Sequence, residues 1–219
     1  MHKISELIKL CSQSFCRMLG VQIVPLTVQQ RELLKENPLL RYRHFVAQEV
    51  ILMQSGQINL EESKFLGQLI TNLKTEGPIV EIGTLFGWST RIICLFKEDL
   101  RELISVDNFS WNPFNLPPDM HFQITKQVLL DEISRGHLKL LKMSNVEFYN
   151  TYSGPPPAFF FIDADHDYEA VSIDIQGAFK LNANVICGHD YDKNKSPGVV
   201  KAVDEFGGPT KLVGSLWVL

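Results

Sequence analysis

Residues 78–90, with the sequence PIVEIGTLFGWST, restrict the fold of this chain more than any other segment. The apolar run Ile79–Ile82 predicts a short strand, and Gly83 and Gly87 predict a tight turn that leads into a helix. A strand–turn–helix junction places backbone N–H groups and a helix N-terminus beside one small cavity, which suits a nucleotide-like ligand. The carboxylate of Glu81 repels a pyrophosphate and favours a cationic ligand that carries ribose hydroxyls.

A second apolar run, residues 103–106, ends in Asp107, 24 positions after Gly83. In Rossmann-type folds an acid about this far along, at the end of the next strand, binds the ribose diol. The dinucleotide fingerprint G-x-G-x-x-G is not met by Gly83 and Gly87. The two segments together therefore predict a nucleoside site that is not of the dinucleotide type.

From residue 78 onward, short apolar runs alternate with helical stretches. Strands are predicted at residues 79–82, 103–106, 138–141, 159–162 and 184–187, and helices at 89–96, about 121–134, 168–179 and 199–206. The strands lack polar alternation, as expected where both faces of a parallel sheet are buried. Gly214 and Ser215 separate two final apolar runs and predict a hairpin. We expect a three-layer, Rossmann-like α/β fold, mostly parallel, with an antiparallel strand near the C-terminus.

Residues 1–76 differ in character and predict a helical extension that precedes a ligand-binding domain at residues 77–219. Apolar residues recur at helical spacing between Ile4 and Phe15, and further helices are predicted at residues 28–35, 41–55 and 60–73. Asn59 and Glu62 form an N-terminal capping pattern for the last of these. Exposed apolar stripes are a liability, so we expect the extension to cover the domain or to join two subunits in a homo-oligomer.

Composition disfavours several classes of protein. A formal net charge of -4 lacks the basic footprint of a nucleic-acid binder. The sequence shows no signal-peptide pattern and no apolar run near the ~20 residues that span a bilayer. The four cysteines lack metal-binding spacing and do not form a disulfide framework. We expect a cytoplasmic protein without a nucleic-acid or membrane partner.

Two polar clusters follow the fourth and fifth predicted strands. Asp163, Asp165 and His166 follow the fourth strand, and His189 and Asp190 follow the fifth. Because the carboxyl ends of parallel strands meet at one edge of a sheet, we expect both clusters to converge near the glycine turn. Carboxylates and imidazoles bind divalent metals, and histidine is also a base near neutral pH. Each residue singly is more typical of turns and helix caps than of a functional site, whereas the two clusters together favour a functional site.

The ordered segments VEIGTLFGWST, SVD, FFFIDADHDYEAVSIDI, GHDY and PGVVKAVDEF resemble those of class I S-adenosylmethionine-dependent methyltransferases. They are most similar to the small-molecule O-methyltransferases with I-D-x-x-H and G-H-D-Y segments. The resemblance covers about residues 78–219, and residues 1–76 carry none. It implies a cosubstrate site with Glu81, Gly83 and Gly87 beside the methionine part of S-adenosylmethionine. Asp107 would bind the ribose hydroxyls, and Met143 and Ser144 would lie beside the adenine. Asp163 would lie where this site meets the metal site.

The resemblance also implies the chemistry. Asp163, His189 and Asp190 correspond to metal ligands of the metal-dependent members, and His166 corresponds to the general base. His189 departs from the pattern, since metal-using relatives more often carry an acid there, so Mg²⁺, a softer divalent cation and no metal all stay open. We expect O-methylation of a small-molecule hydroxyl, on a sugar or a phenol, with S-adenosylmethionine as methyl donor. The alternatives are a nucleoside-binding module without turnover and a metal-dependent hydrolase.

Overall fold

The computed structural model describes residues 58–219. The chain divides into two compact units, Met1–Gln54 and Ser55–Leu219, and the described residues belong to the second. The apolar stripe between Ile4 and Phe15 and the helices predicted at residues 28–35 and 41–55 lie outside the described residues.

Helices and strands alternate along the described residues. The helices are α1 (Leu60–Thr71), α2 (Trp88–Phe96), α3 (Pro118–Val128), α4 (Leu130–Ser134), α5 (Asn145–Thr151), α6 (Tyr168–Lys180) and α7 (Pro197–Glu205). The strands are β1 (Ile79–Ile82), β2 (Leu103–Asp107), β3 (Leu138–Lys142), β4 (Phe159–Ile162), β5 (Ile186–Gly188), β6 (Lys211–Val213) and β7 (Leu216–Val218). The helix predicted near residues 121–134 is thus two helices, and α5 was not predicted.

The seven strands form one sheet in the order β3-β2-β1-β4-β5-β7-β6. The first five in this order are parallel, whereas β7 runs antiparallel to both β5 and β6. The hairpin predicted at Gly214 and Ser215 joins β6 to β7. The fold class expected from the sequence, a mostly parallel Rossmann-like sheet with an antiparallel end, is therefore confirmed.

Alternate residues of the central strands face opposite layers of helices. Val80 and Ile82 of β1 belong to a core that also contains buried residues of α5, α6 and α7. Glu81 faces the other side, where side chains of α2 reach it. Strand β4 is buried throughout, and its three phenylalanines, Phe159–Phe161, are fully buried. Burying each of them stabilises the fold by about 1.5–3 kcal/mol, which explains why a short apolar run forms the centre of the sheet.

The carboxyl ends of β1 and β4 come together at the turn that follows β1. Ile82 pairs with Ile162, so Gly83 and Asp163 leave the sheet at the same level. Gly83 has a φ of 92°, and a Cβ atom there would lie 2.0 Å from the carbonyl oxygen of Asp163. Only glycine permits this approach, which brings the glycine turn beside the polar residues after β4.

Helix α1 begins with a complete capping box. The side chain of Asn59 accepts a hydrogen bond from the N–H of Glu62, and the carboxylate of Glu62 accepts one from the N–H of Asn59. The cap predicted from these two residues is confirmed. Helix α1 contacts α2, so it belongs to the layer of helices on the Glu81 side of the sheet.

Replacing Asn59 with alanine should lower the free energy of unfolding by about 1 kcal/mol, because one end of the capping box is lost. Urea unfolding followed by circular dichroism measures the change. Gln68→Ala, at an exposed position of the same helix, is the control and should change stability by less than about 0.5 kcal/mol. Equal stabilities of the two variants would show that the cap contributes nothing.

Candidate functional site

A cavity of about 600 Å³ lies at the carboxyl edge of the parallel strands. This volume is within the range of roughly 300–1,000 Å³ that is typical of small-molecule sites. Its walls come from the turn after β1, the end of β2, the start of α5 and the segment after β4. The predicted site residues that line it are Gly83, Asp107, Asp163 and His166.

The carboxylate of Asp107 clamps two loops that line the cavity. Its Oδ2 atom accepts hydrogen bonds from the N–H groups of Thr84 and Leu85, each at 2.9 Å. Its Oδ1 atom accepts one from the N–H of Phe109 at 2.7 Å. Leu85 and Phe109 both have positive φ angles, 50° and 59°. A non-glycine residue in this region is strained, so these bonds hold both loops in conformations that the chain alone disfavours.

Glu81 lies beneath the glycine turn and is absent from the cavity wall. Its carboxylate is fully buried and accepts hydrogen bonds from the hydroxyls of Ser89, Thr90 and Ser105 at 2.5–2.6 Å. Burial raises the pKa of Glu81 to about 7, although the three hydroxyl donors oppose the shift. The geometry therefore shows Glu81 joining β1, β2 and α2, and its direct contact with a ligand stays a prediction.

Three other predicted residues lie next to the cavity and do not line it. Gly87 is the residue before α2, with a φ of 90°, and it packs against Leu129. Met143 packs against the core, and the side chain of Ser144 caps α5 by accepting the N–H of Glu147. The cavity wall after β3 is formed instead by the first residues of α5, Asn145 and Val146. Sequence reasoning missed them because α5 was not predicted.

The loop between β2 and α3 forms the outer wall of the cavity. The side chain of Asn112 is buried and bonds to the backbone of Phe114 and Leu116, which gives the loop a fixed shape. Ser110 and Trp111 line the cavity, and Trp111 remains 65% exposed. The loop therefore presents a flat aromatic side chain at the mouth of the cavity.

The two polar clusters converge as the sequence predicts. Asp190 Oδ2 lies 3.0 Å from Nε2 of His166 and 3.3 Å from Nδ1 of His189. Asp163 Oδ1 lies 4.0 Å from the same Nδ1 atom. Asp163, His189 and Asp190 each offer one ligand atom, and these three atoms lie within 4.8 Å of one another. This is the arrangement of a group that can bind a metal ion.

Burial and neighbouring charges determine the protonation of this cluster. Burial raises the pKa of Asp163 to about 6, against the attraction of His189. Burial opposes the charge of His189, but its contacts with Asp190, Glu62 and Asp163 outweigh this and raise its pKa to about 10. Burial likewise opposes ionisation of Asp190, yet its hydrogen bonds to the two histidines hold its pKa well below the usual range. The carboxylates thus favour a positive charge in the site, which the protonated ring of His189 supplies at neutral pH and which a metal ion would have to replace.

Glu62 of α1 contacts the same cluster, which the sequence did not predict. Its Oε2 atom lies 3.3 Å from Nε2 of His189, and its Oε1 atom accepts hydrogen bonds from the N–H and hydroxyl groups of Ser215. Burial opposes ionisation of Glu62, but the bonds to His189, Ser215 and Asn59 lower its pKa to about 2. The only sequence signal for Glu62 was its place in the capping pattern.

Comparison with known proteins agrees with this geometry. A family model described as "Methyltransferase domain" matches residues 80–191, just over half of the chain. No curated protein sequence matches. The chain belongs to this methyltransferase-domain family, and with its Rossmann-like sheet it is a class I S-adenosylmethionine-dependent methyltransferase. Among the described residues, no helix is long and apolar enough to cross a bilayer.

Solved structures share the fold at low sequence identity. Cofactor-bound Rv0187 from MTB has a TM-score of 0.58 and 17% identity, with 84% of this chain and 87% of that chain covered. CalS11, a TDP-rhamnose 3'-O-methyltransferase of calicheamicin biosynthesis, has a TM-score of 0.54 and 14% identity, with coverages of 90% and 96%. A SAM-dependent O-methyltransferase from Thermotoga maritima has a TM-score of 0.52 and 10% identity, with coverages of 72% and 54%.

Replacing Asp107 with alanine should weaken S-adenosylmethionine binding roughly tenfold to a hundredfold, since charge-assisted hydrogen bonds are worth about 1.5–3 kcal/mol each. Both the predicted ribose contact and the clamp on Thr84 and Leu85 would be lost. Calorimetric titration measures the affinity, with Asp99→Ala, an exposed acid before β2, as the control. Unchanged affinity in a folded Asp107→Ala protein would remove Asp107 from the site.

The stability of the protein should depend on pH through Glu81. Its pKa of about 7 in the folded protein lies above the ordinary value of 4.5, so the folded state holds the proton more tightly. Stability is therefore lost as the pH rises from 4.5 through 7, by about 3 kcal/mol in total. Glu81→Gln resembles the protonated form and should not show this loss. Urea unfolding at pH 5 and pH 8 tests it, and parallel pH profiles for wild type and variant would contradict it.

Proposed function

We propose that this methyltransferase transfers a methyl group to a hydroxyl of a small molecule, with His166 as the general base. The observation that supports this most directly is the position of His166. It lines the same cavity as Gly83 and Asp107, and its Nε2 atom is 3.0 Å from Asp190. A base held by a carboxylate beside the cosubstrate cavity is the arrangement that methylation of a hydroxyl needs.

The contact with Asp190 orients His166 for proton transfer. Because an ionised carboxylate only accepts hydrogen bonds, Nε2 of His166 carries the hydrogen in this contact. In the neutral ring Nδ1 is then the basic nitrogen, and it takes the proton of the acceptor hydroxyl. S-adenosylmethionine supplies an electrophilic methyl group on its sulfonium, so the remaining task of the protein is to align donor and acceptor. The rigid loops held by Asp107 support that alignment.

Asp163, His189 and Asp190 fit a divalent cation, and we propose them as its ligands. Nδ1 of His189 is buried and has no hydrogen-bond partner among the described residues, although it lies close to two carboxylates. The carboxylates favour a positive charge at Nδ1, which a proton supplies in the absence of metal and a divalent cation supplies in its place. When bound, a divalent cation polarises the acceptor oxygen and lowers the pKa of the hydroxyl.

For the acceptor, we propose a sugar hydroxyl ahead of a phenol. CalS11, whose fold this chain shares, is a TDP-rhamnose 3'-O-methyltransferase. The flat face of Trp111 at the cavity mouth can pack against a sugar or a phenol ring. The family match does not favour the two alternatives, a nucleoside-binding module and a metal-dependent hydrolase. The homo-oligomer, the covering role of residues 1–76 and a cytoplasmic location stay predictions.

Replacing His166 with alanine should lower turnover about 10²–10⁴-fold, because proton transfer by a positioned base contributes this much. S-adenosylhomocysteine formation with a panel of nucleotide sugars and phenols measures turnover. Calorimetry should show unchanged affinity for S-adenosylmethionine. The control is His137→Ala, which changes the histidine directly before β3, at the amino ends of the parallel strands and outside the cavity wall. Near-wild-type turnover of His166→Ala would move the role of base elsewhere, first to His189.

The turnover measured in this assay should also depend on pH. The hydrogen bond to Asp190, against partial burial, raises the pKa of His166 above its ordinary value of 6.5. A general base acts in its deprotonated form, so turnover should rise with pH through a midpoint above 6.5. A rate that falls with rising pH in this range would contradict the assignment.

A further inference from the structure

We propose that Glu62 is a positioning residue that fixes the ring of His189 and so makes the acid–histidine cluster selective for a borderline transition-metal ion of the Co²⁺ and Zn²⁺ class. The inference deepens the proposed function, because it concerns the cation ligands named there. It assigns a functional role to a residue of α1, which precedes the matched methyltransferase domain.

Glu62 is suited to this role because its carboxylate can only accept hydrogen bonds. Its Oε2 atom meets the backbone N–H of Asn59 at 2.8 Å, and its Oε1 atom meets the backbone N–H of Ser215 at 2.7 Å. A glutamine here would place its NH₂ group against one of these fixed donors in either orientation. The position therefore requires a carboxylate.

The contacts of Glu62 determine which nitrogen of His189 carries hydrogen. The hydroxyl of Ser215 donates its only hydrogen to Glu62 Oε1, so Ser215 Oγ, 3.0 Å from Nε2 of His189, accepts from that nitrogen. Glu62 Oε2, at 3.3 Å, is also only an acceptor. Nε2 must therefore carry a hydrogen, and the free acceptor of the neutral ring is Nδ1.

Nδ1 of His189 faces the two other proposed ligands. It lies 3.3 Å from Asp190 Oδ2 and 4.0 Å from Asp163 Oδ1, in a residue that is only 4% exposed. Among the described residues it has no hydrogen-bond partner. Beside two carboxylates this nitrogen holds a proton, and a cation that lies between the three groups displaces that proton and binds the lone pair of Nδ1. The carboxylate–histidine–cation arrangement is the one by which proteins orient metal-binding imidazoles.

The hairpin between β6 and β7 is shaped to admit Glu62. Gly214 has a φ of 60°, and a Cβ atom there would lie 2.3 Å from Glu62 Oε1. The absence of a side chain at Gly214 allows the turn to approach the carboxylate and bring both donors of Ser215 onto it. Trp217 of β7 fixes the backbone of His189, since its Nε1 donates a hydrogen bond to the carbonyl oxygen of His189 at 2.9 Å.

The donor set indicates which class of ion is preferred. Mg²⁺ prefers oxygen ligands, whereas an imidazole nitrogen suits Fe²⁺, Co²⁺, Ni²⁺ and Zn²⁺. If Glu62 fixes the imidazole, its loss should weaken the binding of Co²⁺ more than that of Mg²⁺, because the two aspartates alone can still hold Mg²⁺. A general loss of the site would weaken both ions equally.

The test compares Co²⁺ and Mg²⁺ affinities of the full-length, tag-free protein by calorimetry, with the visible absorption of Co²⁺ as a second readout. Glu62→Gln should weaken Co²⁺ binding about 10–100-fold, change Mg²⁺ binding less, and alter the Co²⁺ spectrum. Glu61→Gln, the same charge change on the exposed face of the same helix turn, should leave both affinities unchanged. Asn59→Ala breaks the cap without touching His189, and it should also preserve the ratio of the two affinities.

Three results would overturn the proposal: wild-type protein that binds no Co²⁺, equal weakening of both ions in Glu62→Gln, or an equal change in Asn59→Ala. If Glu62→Gln does not fold, long-range ¹H–¹⁵N spectra of wild type with Zn²⁺ decide instead. They should show hydrogen on Nε2 and the ion on Nδ1 of His189, and the reverse assignment would contradict the proposal. S-adenosylhomocysteine formation by the same samples tests the proposed function separately, since protein that binds Co²⁺ but methylates no acceptor would contradict the proposed function and not the role of Glu62.

Discussion

The rest of this structure depends on the close approach of two backbones, those of Gly83 and Asp163. The approach is possible because β1 and β4 are parallel, paired in register and buried on both faces. It brings the glycine turn and the polar residues after β4 to one point at the edge of the sheet. The neighbouring pair, β4 and β5, adds His189 and Asp190 at the same level, since Ile162 pairs with Gly188. The cavity is therefore a consequence of strand register.

Three carboxylates, of which Glu62 and Glu81 are buried and Asp107 is partly buried, hold the elements around this edge together. Glu81 accepts hydrogen bonds from three hydroxyls of β2 and α2. Asp107 accepts hydrogen bonds from three backbone N–H groups of two loops. Glu62 accepts hydrogen bonds from the start of α1 and from the final hairpin and so joins them. Each carboxylate is an acceptor with several lone pairs, so it can bind donors from segments far apart in the chain. Their environments differ: the pKa of Glu81 is raised to about 7, whereas that of Glu62 is lowered to about 2.

Several parts of the site were predictable because they follow directly on apolar strands. Asp107, Asp163 and His166 line the cavity, and His189 and Asp190 join Asp163 in one cluster. After β3 the cavity is lined by Asn145 and Val146 and not by Met143 and Ser144, and the place of Met143 and Ser144 beside the adenine stays a prediction. Helix α5 has only seven residues, too few for a clear helical period, so the sequence pattern did not reveal where its first turn begins.

By itself, the sequence determined the strands, their mostly parallel direction with an antiparallel end, and the set of polar residues at one edge. These features follow from local hydrophobic runs and glycine turns. Only the tertiary structure decided what the carboxylates contact. Glu81 lies beneath the turn and accepts three hydroxyl hydrogen bonds, since alternate residues of a strand face opposite sides of the sheet. Its expected place beside the ligand stays a prediction. Glu62 contacts His189 and also Ser215, which is 153 positions further along the chain. No local pattern encodes such a contact between the first described helix and the last hairpin.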